Sequence, residues 1–103
     1  MTTQEEIKFF EGITNEMAAT FAKKRHDYGS STTETWIKFG PVSMIIRMQD
    51  KLNRAYNLLC GKDAAAVSSE SVQDTILDLA NYCIIALIEI EKERERLDAK
   101  LRD

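Results

Sequence analysis

The stretch that decides the fold of this chain is residues 70–88, ESVQDTILDLANYCIIALI. Its three acidic residues, Glu70, Asp74 and Asp78, recur every four positions, which places them one turn apart on one face of an α-helix. Like charges stacked in this way repel by roughly 0.2–0.5 kcal/mol per pair. Either basic side chains or a divalent cation is therefore expected to neutralise this acidic ladder.

The rest of the chain predicts two more long helices and one short helix. Thr3 and Glu6 fit a capping box that opens a helix reaching about Arg25. Residues 26–33 are rich in Gly, Ser and Thr and predict a loop, and residues 34–39 predict a short helix.

The second long helix is predicted to begin at Gly40-Pro41 and to end near Cys60, with Gly61 as a left-handed stop. Residues 62–67 are predicted to be a linker, and Ser68 or Ser69 to cap the last helix. The expected fold class is all-α, a helical bundle of three long helices plus one short helix. Two helices have apolar residues at helical spacing, which predicts their core faces: Ile7, Phe10, Ile13, Met17 and Phe21 on the first, and Val42, Ile45, Leu52, Tyr56 and Leu59 on the second.

Length and composition indicate a single domain, residues 1–103, with a charged helical tail over residues 91–103. The formal net charge of −3 gives no general attraction to nucleic acid or an acidic membrane. The longest apolar run, residues 82–88, is shorter than the ~20 residues that span a bilayer. Cys60 and Cys83 lack zinc-ligand spacing and are expected to be buried thiols in a reducing cytoplasm.

The last helix has more apolar surface than a small bundle covers, which predicts a homo-oligomer, a dimer or higher. The residues concerned are Leu79, Cys83, Ile84, Leu87, Ile88 and Ile90. A spacing of alternating fours and threes also fits an imperfect coiled-coil seam, formed by Cys83, Leu87, Ile90, Arg94, Leu97 and Leu101. The end of this helix is therefore either a coiled-coil segment that joins two copies in a dimer or a solvated helical tail.

A basic stripe lies on the second long helix, formed by Arg47, Lys51 and Arg54 together with Asp50. It is either a solvated face with internal ion pairs or one wall of a polar cleft facing the acidic ladder. In the cleft, carboxylates would hold Mg²⁺ and the cations would take phosphate oxygens. Magnesium is favoured over zinc because the candidate ligands are all oxygens.

The segment Lys23-Lys24-Arg25-His26-Asp27-Tyr28-Gly29 places one aromatic ring among basic residues. Tyr28 is a candidate for stacking on a base, and Gly29 permits close approach of the backbone to a ligand. The alternative is that Tyr28 packs onto Trp36 and anchors the loop.

Three sequence blocks then occur in a fixed order: KRHDYG at residues 24–29, RMQDKLNR at residues 47–54 and ESVQDTILDLANY at residues 70–82. Trp36 and Gly40 lie between the first two blocks. This order resembles the phage and bacterial family called nucleotide modification associated domain type 1, over roughly Ala22 to Ile90. That family is similar to the all-α nucleoside triphosphate pyrophosphohydrolases, the MazG and dimeric dUTPase group. The resemblance implies an oligomeric nucleotide-binding bundle acting in phage nucleotide metabolism in the cytoplasm of a bacterial host.

The leading functional prediction is a Mg²⁺-dependent nucleoside triphosphate pyrophosphohydrolase-like protein. Its predicted catalytic residues are Asp50, Glu70, Asp74 and Asp78, of which Glu70, Asp74 and Asp78 hold the metal. Its predicted ligand-binding residues are Lys24, Asp27, Tyr28, Gly29, Trp36, Arg47, Lys51, Arg54 and Asn81. No membrane and no direct nucleic-acid contact are expected.

Two other functions fit the same residues. MazG-like enzymes carry a Glu-Glu-x-x-Glu cluster, where the second long helix here offers only Asp50. A non-catalytic binder that sequesters a nucleotide or cyclic nucleotide signal is therefore the alternative. The third is an interaction protein whose charged stripes form only internal ion pairs.

Overall fold

The computed structural model describes residues 1–28, 30–62 and 69–102, without the side chains of Asp27, Tyr28, Ser69 and Glu70. Within these ranges the chain forms four helices and no strand, so the all-α prediction is confirmed. The helices are α1 (Thr3–Tyr28), α2 (Ser31–Phe39), α3 (Val42–Cys60) and α4 (Ser69–Arg102). The chain divides into two compact units, Met1–Ser31 and Thr32–Asp103.

Helix α1 begins with a capping box one residue earlier than predicted. The backbone N–H of Glu5 donates to Thr2 Oγ1 at 3.2 Å, and the Thr2 hydroxyl donates to Glu5 Oε1 at 3.0 Å. Thr3 and Glu6 were therefore the wrong pair. The apolar stripe of α1 is only partly buried, because Met17 is buried while Ile7 and Phe10 are exposed.

The loop predicted at residues 26–33 is mostly helical. Helix α1 continues to Tyr28 and α2 already begins at Ser31, three residues earlier than predicted. The polar composition of this segment suits an exposed helix end as well as a loop, so composition alone placed the boundaries wrongly.

The two glycines that flank α3 have different physical roles. Gly40 has a φ of 82°, a left-handed conformation that side chains disfavour, and its N–H closes α2 by donating to Trp36 O at 2.7 Å. Gly61 is extended (φ −74°, ψ 174°), so its prediction as a left-handed stop is wrong. A side chain at Gly61 would nevertheless collide with the carbonyl oxygen of Asn57.

In the unit Thr32–Asp103, α3 packs against α4. Lys51 contacts Asp78, and Arg54 contacts Thr75. The residue number falls along α4 as it rises along α3, so the two helices are antiparallel. Apart from Lys62, the linker predicted at 62–67 lies outside the described residues, and so do Ser68 and the side chain of Ser69, the two predicted caps.

The predicted core face of α3 is wrong. The buried residues of α3 are Met44 and Ala55, each one residue away from a member of the predicted stripe. The predicted stripe is exposed instead: Val42, Ile45, Leu52, Tyr56 and Leu59 all expose more than half of their surface. The spacing identified an apolar face correctly, but α4 covers a different face of this helix.

Both cysteines, Cys60 and Cys83, are exposed free thiols rather than buried ones. Cys83 lies beside Met48, with 3.4 Å between the two sulfur atoms. By length and composition, one described helix, in Ser71–Arg102, is apolar enough to cross a membrane. A single helix of this kind is weak evidence for a membrane segment.

Candidate functional site

The contact between α3 and α4 joins the predicted basic stripe to the predicted acidic ladder. Lys51 Nζ lies 3.0 Å from Asp78 Oδ2, with both side chains partly exposed to solvent. Three residues further along α3, Arg54 Nε donates to Thr75 Oγ1 at 3.2 Å, and the Thr75 hydroxyl donates to the backbone oxygen of Ser71 at 2.9 Å. Lys51 and Arg54 thus lie a turn apart along the inner edge of the α3–α4 pair.

Helix geometry gives this pair of helices a polar side. At about 100° per residue, Arg47, Asp50 and Arg54 lie roughly 40–100° before Lys51 around α3. Asp74 and Asn81 lie roughly 40–60° before Asp78 around α4. Because the helices are antiparallel and Lys51 faces Asp78, the two rotations lead to the same side. We call the residues Arg47, Asp50, Arg54, Asp74 and Asn81 the polar side.

The polar side is accessible to a ligand. Arg47, Asp50, Arg54 and Asp74 are exposed, and Asn81 is half-buried. Cations on α3 and carboxylates on α4 therefore reach a common solvent-facing surface. An anionic group such as a phosphate can be bound there by Arg47, Lys51 and Arg54.

The carboxylates of α4 fit a metal only in part. Asp74 and Asp78 are one turn apart, but Lys51 already compensates Asp78, and the Glu70 side chain lies outside the described part of the chain. Among the described residues, no group of three His, Cys, Asp or Glu side chains could hold a metal ion. Two carboxylates still suit Mg²⁺, which usually keeps several waters and takes further ligands from substrate phosphates.

A buried carboxylate, Glu89, forms a second polar centre that the sequence did not reveal. Its side chain is fully buried, and Thr33 Oγ1 donates to Glu89 Oε1 at 2.7 Å. Lys92 Nζ lies 3.6 Å from the same oxygen and donates to Thr33 Oγ1 at 3.0 Å. This network attaches the N-terminal turn of α2 to α4.

Two buried polar atoms have no hydrogen-bond partner among the described residues: Glu89 Oε2, which belongs to this network, and Trp36 Nε1. Thr33 and Trp36 are three residues apart on α2 and so share a face of that helix. An unpaired buried polar group costs roughly 1–3 kcal/mol. Helical spacing places Glu89 three turns beyond Asp78 on the same face of α4. That spacing does not show that Glu89 is buried, because its burial depends on contacts with α2.

Among the remaining predicted ligand-binding residues, the structure describes the surroundings of only Lys24 and Trp36. Lys24 is exposed near the end of α1, in the other compact unit. Trp36 is buried, with 4% of its surface accessible. Asp27 and Tyr28 have undescribed side chains, and Gly29 lies outside the described residues.

A protein-family model, that of nucleotide modification associated domain 1, matches residues 24–90. The match spans well over half of the chain. The chain belongs to this family. No curated protein and no solved structure gives a significant match. The family match contains the residues of the polar side and also Thr33, Trp36 and Glu89, whereas Lys92 and the tail lie beyond it.

Membership of the nucleotide modification associated domain 1 family confirms the resemblance expected from the three sequence blocks. The matched range ends at Ile90, as expected, and begins within two residues of the expected start. The charged end of α4, from Glu91 onward, is therefore an extension beyond the family domain.

Proposed function

We propose that this family member binds a nucleotide or a nucleotide-derived small molecule on the polar side of α3 and α4. The observation that carries this proposal is the Lys51–Asp78 contact, which brings the cations of α3 beside the carboxylates of α4. Guanidinium and ammonium groups bind phosphate oxygens strongly, and three of them lie within two turns of α3. The family description, which refers to nucleotide modification, supports a nucleotide as the anion.

The residues of α3 and α4 offer the ligand two kinds of contact. Arg47, Lys51 and Arg54 bind the phosphates, and Asn81 offers an amide that can both donate and accept hydrogen bonds. Lys51 must leave Asp78 at least in part when it binds phosphate. That exchange frees the Asp78 carboxylate when the ligand arrives.

For a hydrolytic function, the proposal includes Mg²⁺ held by Asp74 and Asp78, with Glu70 as a third candidate. The metal would supply charge neutralisation at the phosphates and a lowered pKa for bound water. Asp50 is exposed and can accept a proton from an attacking water. Under this proposal the protein is a nucleoside triphosphate pyrophosphohydrolase-like enzyme, related to the MazG group and working in the cytoplasm of a phage-infected bacterium.

The second candidate is a binder that sequesters a nucleotide or a cyclic nucleotide signal without converting it. The observation that favours the binder is that no three metal-ligating side chains come together in the described ranges. Phosphate binding by α3 requires no such cluster. The two candidates therefore share the cations and differ in the role of the acids.

One experiment tests both candidates. The purified protein is incubated with a panel of nucleoside triphosphates and cyclic nucleotides with Mg²⁺, denatured, and its small molecules are resolved by chromatography. An enzyme releases a nucleoside monophosphate and pyrophosphate, whereas a binder returns its ligand intact. A parallel thermal-shift assay compares wild type with Lys51→Met and with the control Lys100→Met on the tail. No shift with any nucleotide would reject nucleotide binding and leave the charged stripes as internal ion pairs.

A further inference from the structure

A threonine of α4 holds one of the cations of α3. Arg54 Nε donates to Thr75 Oγ1 at 3.2 Å, and the Thr75 hydroxyl donates to the backbone oxygen of Ser71 at 2.9 Å. A hydroxyl has one hydrogen to donate, and here Ser71 receives it, so the hydroxyl can only accept from Arg54. The two bonds together define which group donates and which accepts in the Arg54–Thr75 contact.

The two residues of this contact differ in burial. Thr75 is buried, with 3% of its surface accessible, whereas Arg54 is exposed. The Thr75 hydroxyl is used both as a donor and as an acceptor, so burying it leaves no unpaired polar atom. Arg54 is therefore attached to the interior of the α3–α4 pair at Nε, although the residue as a whole reaches solvent.

The attachment uses one of the five N–H donors of the Arg54 guanidinium group. The other four belong to the two terminal nitrogens, Nη1 and Nη2, whose planar edge matches two oxygens of one phosphate. A guanidinium group that is already held at Nε loses less rotational freedom when it binds a ligand. The bond to Thr75 therefore favours a bidentate contact between Arg54 and a phosphate group.

Lys51 and Arg54 are held by groups of different charge. Lys51 Nζ lies 3.0 Å from Asp78 Oδ2, so a ligand that binds this ammonium group competes with a carboxylate. Arg54 Nε is held by a neutral hydroxyl, which does not cancel the positive charge of the guanidinium group. That bond can also persist while the terminal nitrogens bind phosphate. Arg54 is thus the cation whose orientation is set before the ligand arrives.

We propose that Thr75 is a positioning residue of the phosphate site, acting through Arg54 without touching the ligand. This inference rests on the proposed function, because it requires a phosphate group bound by the cations of α3. It adds a buried residue of α4 that does not belong to the polar side. Its role is to raise affinity by holding the guanidinium group in the orientation that binds phosphate.

The test is a double-mutant cycle on the full chain, with inorganic pyrophosphate as the probe and isothermal titration calorimetry as the measurement. Thr75→Val is expected to weaken pyrophosphate binding about fivefold, because the guanidinium group must then be ordered by the ligand. Thr75→Ser keeps the hydroxyl and is expected to keep the wild-type affinity. In an Arg54→Met background, Thr75→Val is expected to cause no further loss.

The matched control is Thr33→Val, which also removes a hydroxyl bonded to a buried group, but on α2. It is expected to leave pyrophosphate affinity unchanged even where stability falls. An equal loss of affinity from Thr75→Val with and without Arg54 would make Thr75 a general structural residue and overturn the inference. Unchanged affinity in Thr75→Val, with weaker binding in Arg54→Met, would overturn it and leave the proposed function intact. If Arg54→Met and Lys51→Met both bind pyrophosphate as wild type does, the proposed phosphate site fails as well.

A second measurement needs no substitution at Thr75. The Nε–H signal of Arg54 in NMR spectra is assigned by its loss in Arg54→Met. It is expected to exchange with solvent more slowly than the Nε–H of Arg102, an exposed residue at the end of α4, with and without pyrophosphate. Equal exchange rates for the two arginines would overturn the inference, including the case in which Thr75→Val does not fold.

Discussion

Lys51 Nζ lies 3.0 Å from Asp78 Oδ2, and this contact sets the facing direction of α3 and α4. The basic stripe and the acidic ladder meet at this point, on opposite helices and 27 positions apart in the sequence. The polar side lies roughly 40–100° to one side of this contact on both helices. A partly exposed ion pair of this kind contributes about 0.2–1 kcal/mol to folding, so the pair matters more for where it places the two charged groups than for stability.

Asp78→Asn tests whether the acidic ladder holds Mg²⁺. The change removes the negative charge but keeps the size of the side chain, so Mg²⁺-dependent nucleotide affinity is expected to fall at least tenfold. Isothermal titration calorimetry with and without EDTA measures it, and Asp98→Asn on the tail is the control. If wild-type affinity is unchanged in excess EDTA, magnesium has no part in binding. A large loss of stability in Asp78→Asn would instead assign the carboxylate to its ion pair with Lys51.

Tyr28→Ala tests the predicted stacking of Tyr28 on a base. Loss of the ring is expected to weaken nucleotide binding at least tenfold, because a base–aromatic stack contributes roughly 1–3 kcal/mol in single-stranded nucleic-acid binding. The melting temperature should change little. Tyr56→Ala, which removes an exposed tyrosine of α3 that lies outside the polar side, is the control for nucleotide affinity. A large loss of stability with unchanged affinity would make Tyr28 a structural residue.

Thr33→Val tests the buried network around Glu89. The variant keeps the shape of the side chain but removes the hydroxyl that donates to Glu89 Oε1, and the buried carboxylate loses that partner. The free energy of unfolding is expected to fall by about 1–3 kcal/mol. Urea denaturation measures it. The control is Thr14→Val. The Thr14 hydroxyl is exposed and donates to the backbone oxygen of Glu11 in the same helix, so its loss should change stability by less than about 0.5 kcal/mol.

Gly61→Ala tests the close approach at the end of α3. The added Cβ would collide with the carbonyl oxygen of Asn57, so the variant is expected to lose about 1–3 kcal/mol of stability. Gly12→Ala provides the opposite case, because a Cβ at Gly12 meets no atom within 4 Å. As a mid-helix replacement it should stabilise α1 by about 0.5–1 kcal/mol. Equal effects at both glycines would show that Asn57 does not restrict position 61.

Arg94→Ala tests the ion pair of the tail. The hydrogen bond from Arg94 to Glu91 lowers the pKa of Glu91, and the same bond raises the pKa of Arg94. Removing Arg94 should therefore raise the pKa of Glu91 toward its ordinary value of 4.5, as measured by NMR titration. Because the folded-state pKa is lowered, any stability from the pair is present above that value and disappears as the pH falls through the folded pKa. Arg102→Ala should leave the Glu91 titration unchanged.

The sequence determined much of the fold because helix formation depends on local spacing. The periodic apolar residues and the positions of Gly40, Pro41 and Gly61 gave the number and order of the helices, with boundaries wrong by a few residues. The three sequence blocks alone identified the family. The residues of the acidic ladder and the basic stripe were also evident, because charges at helical spacing share a face.

Only the tertiary structure decided which face of each helix is covered. The stripe of Ile45, Leu52 and Tyr56 had the right period for a core, yet α4 packs on the face of Met44 and Ala55, rotated from it by about 100°. Periodicity is a property of one helix, whereas burial depends on where a distant helix lies. For the same reason the buried Glu89 and its bond to Thr33, 56 positions away, could not be read from local pattern.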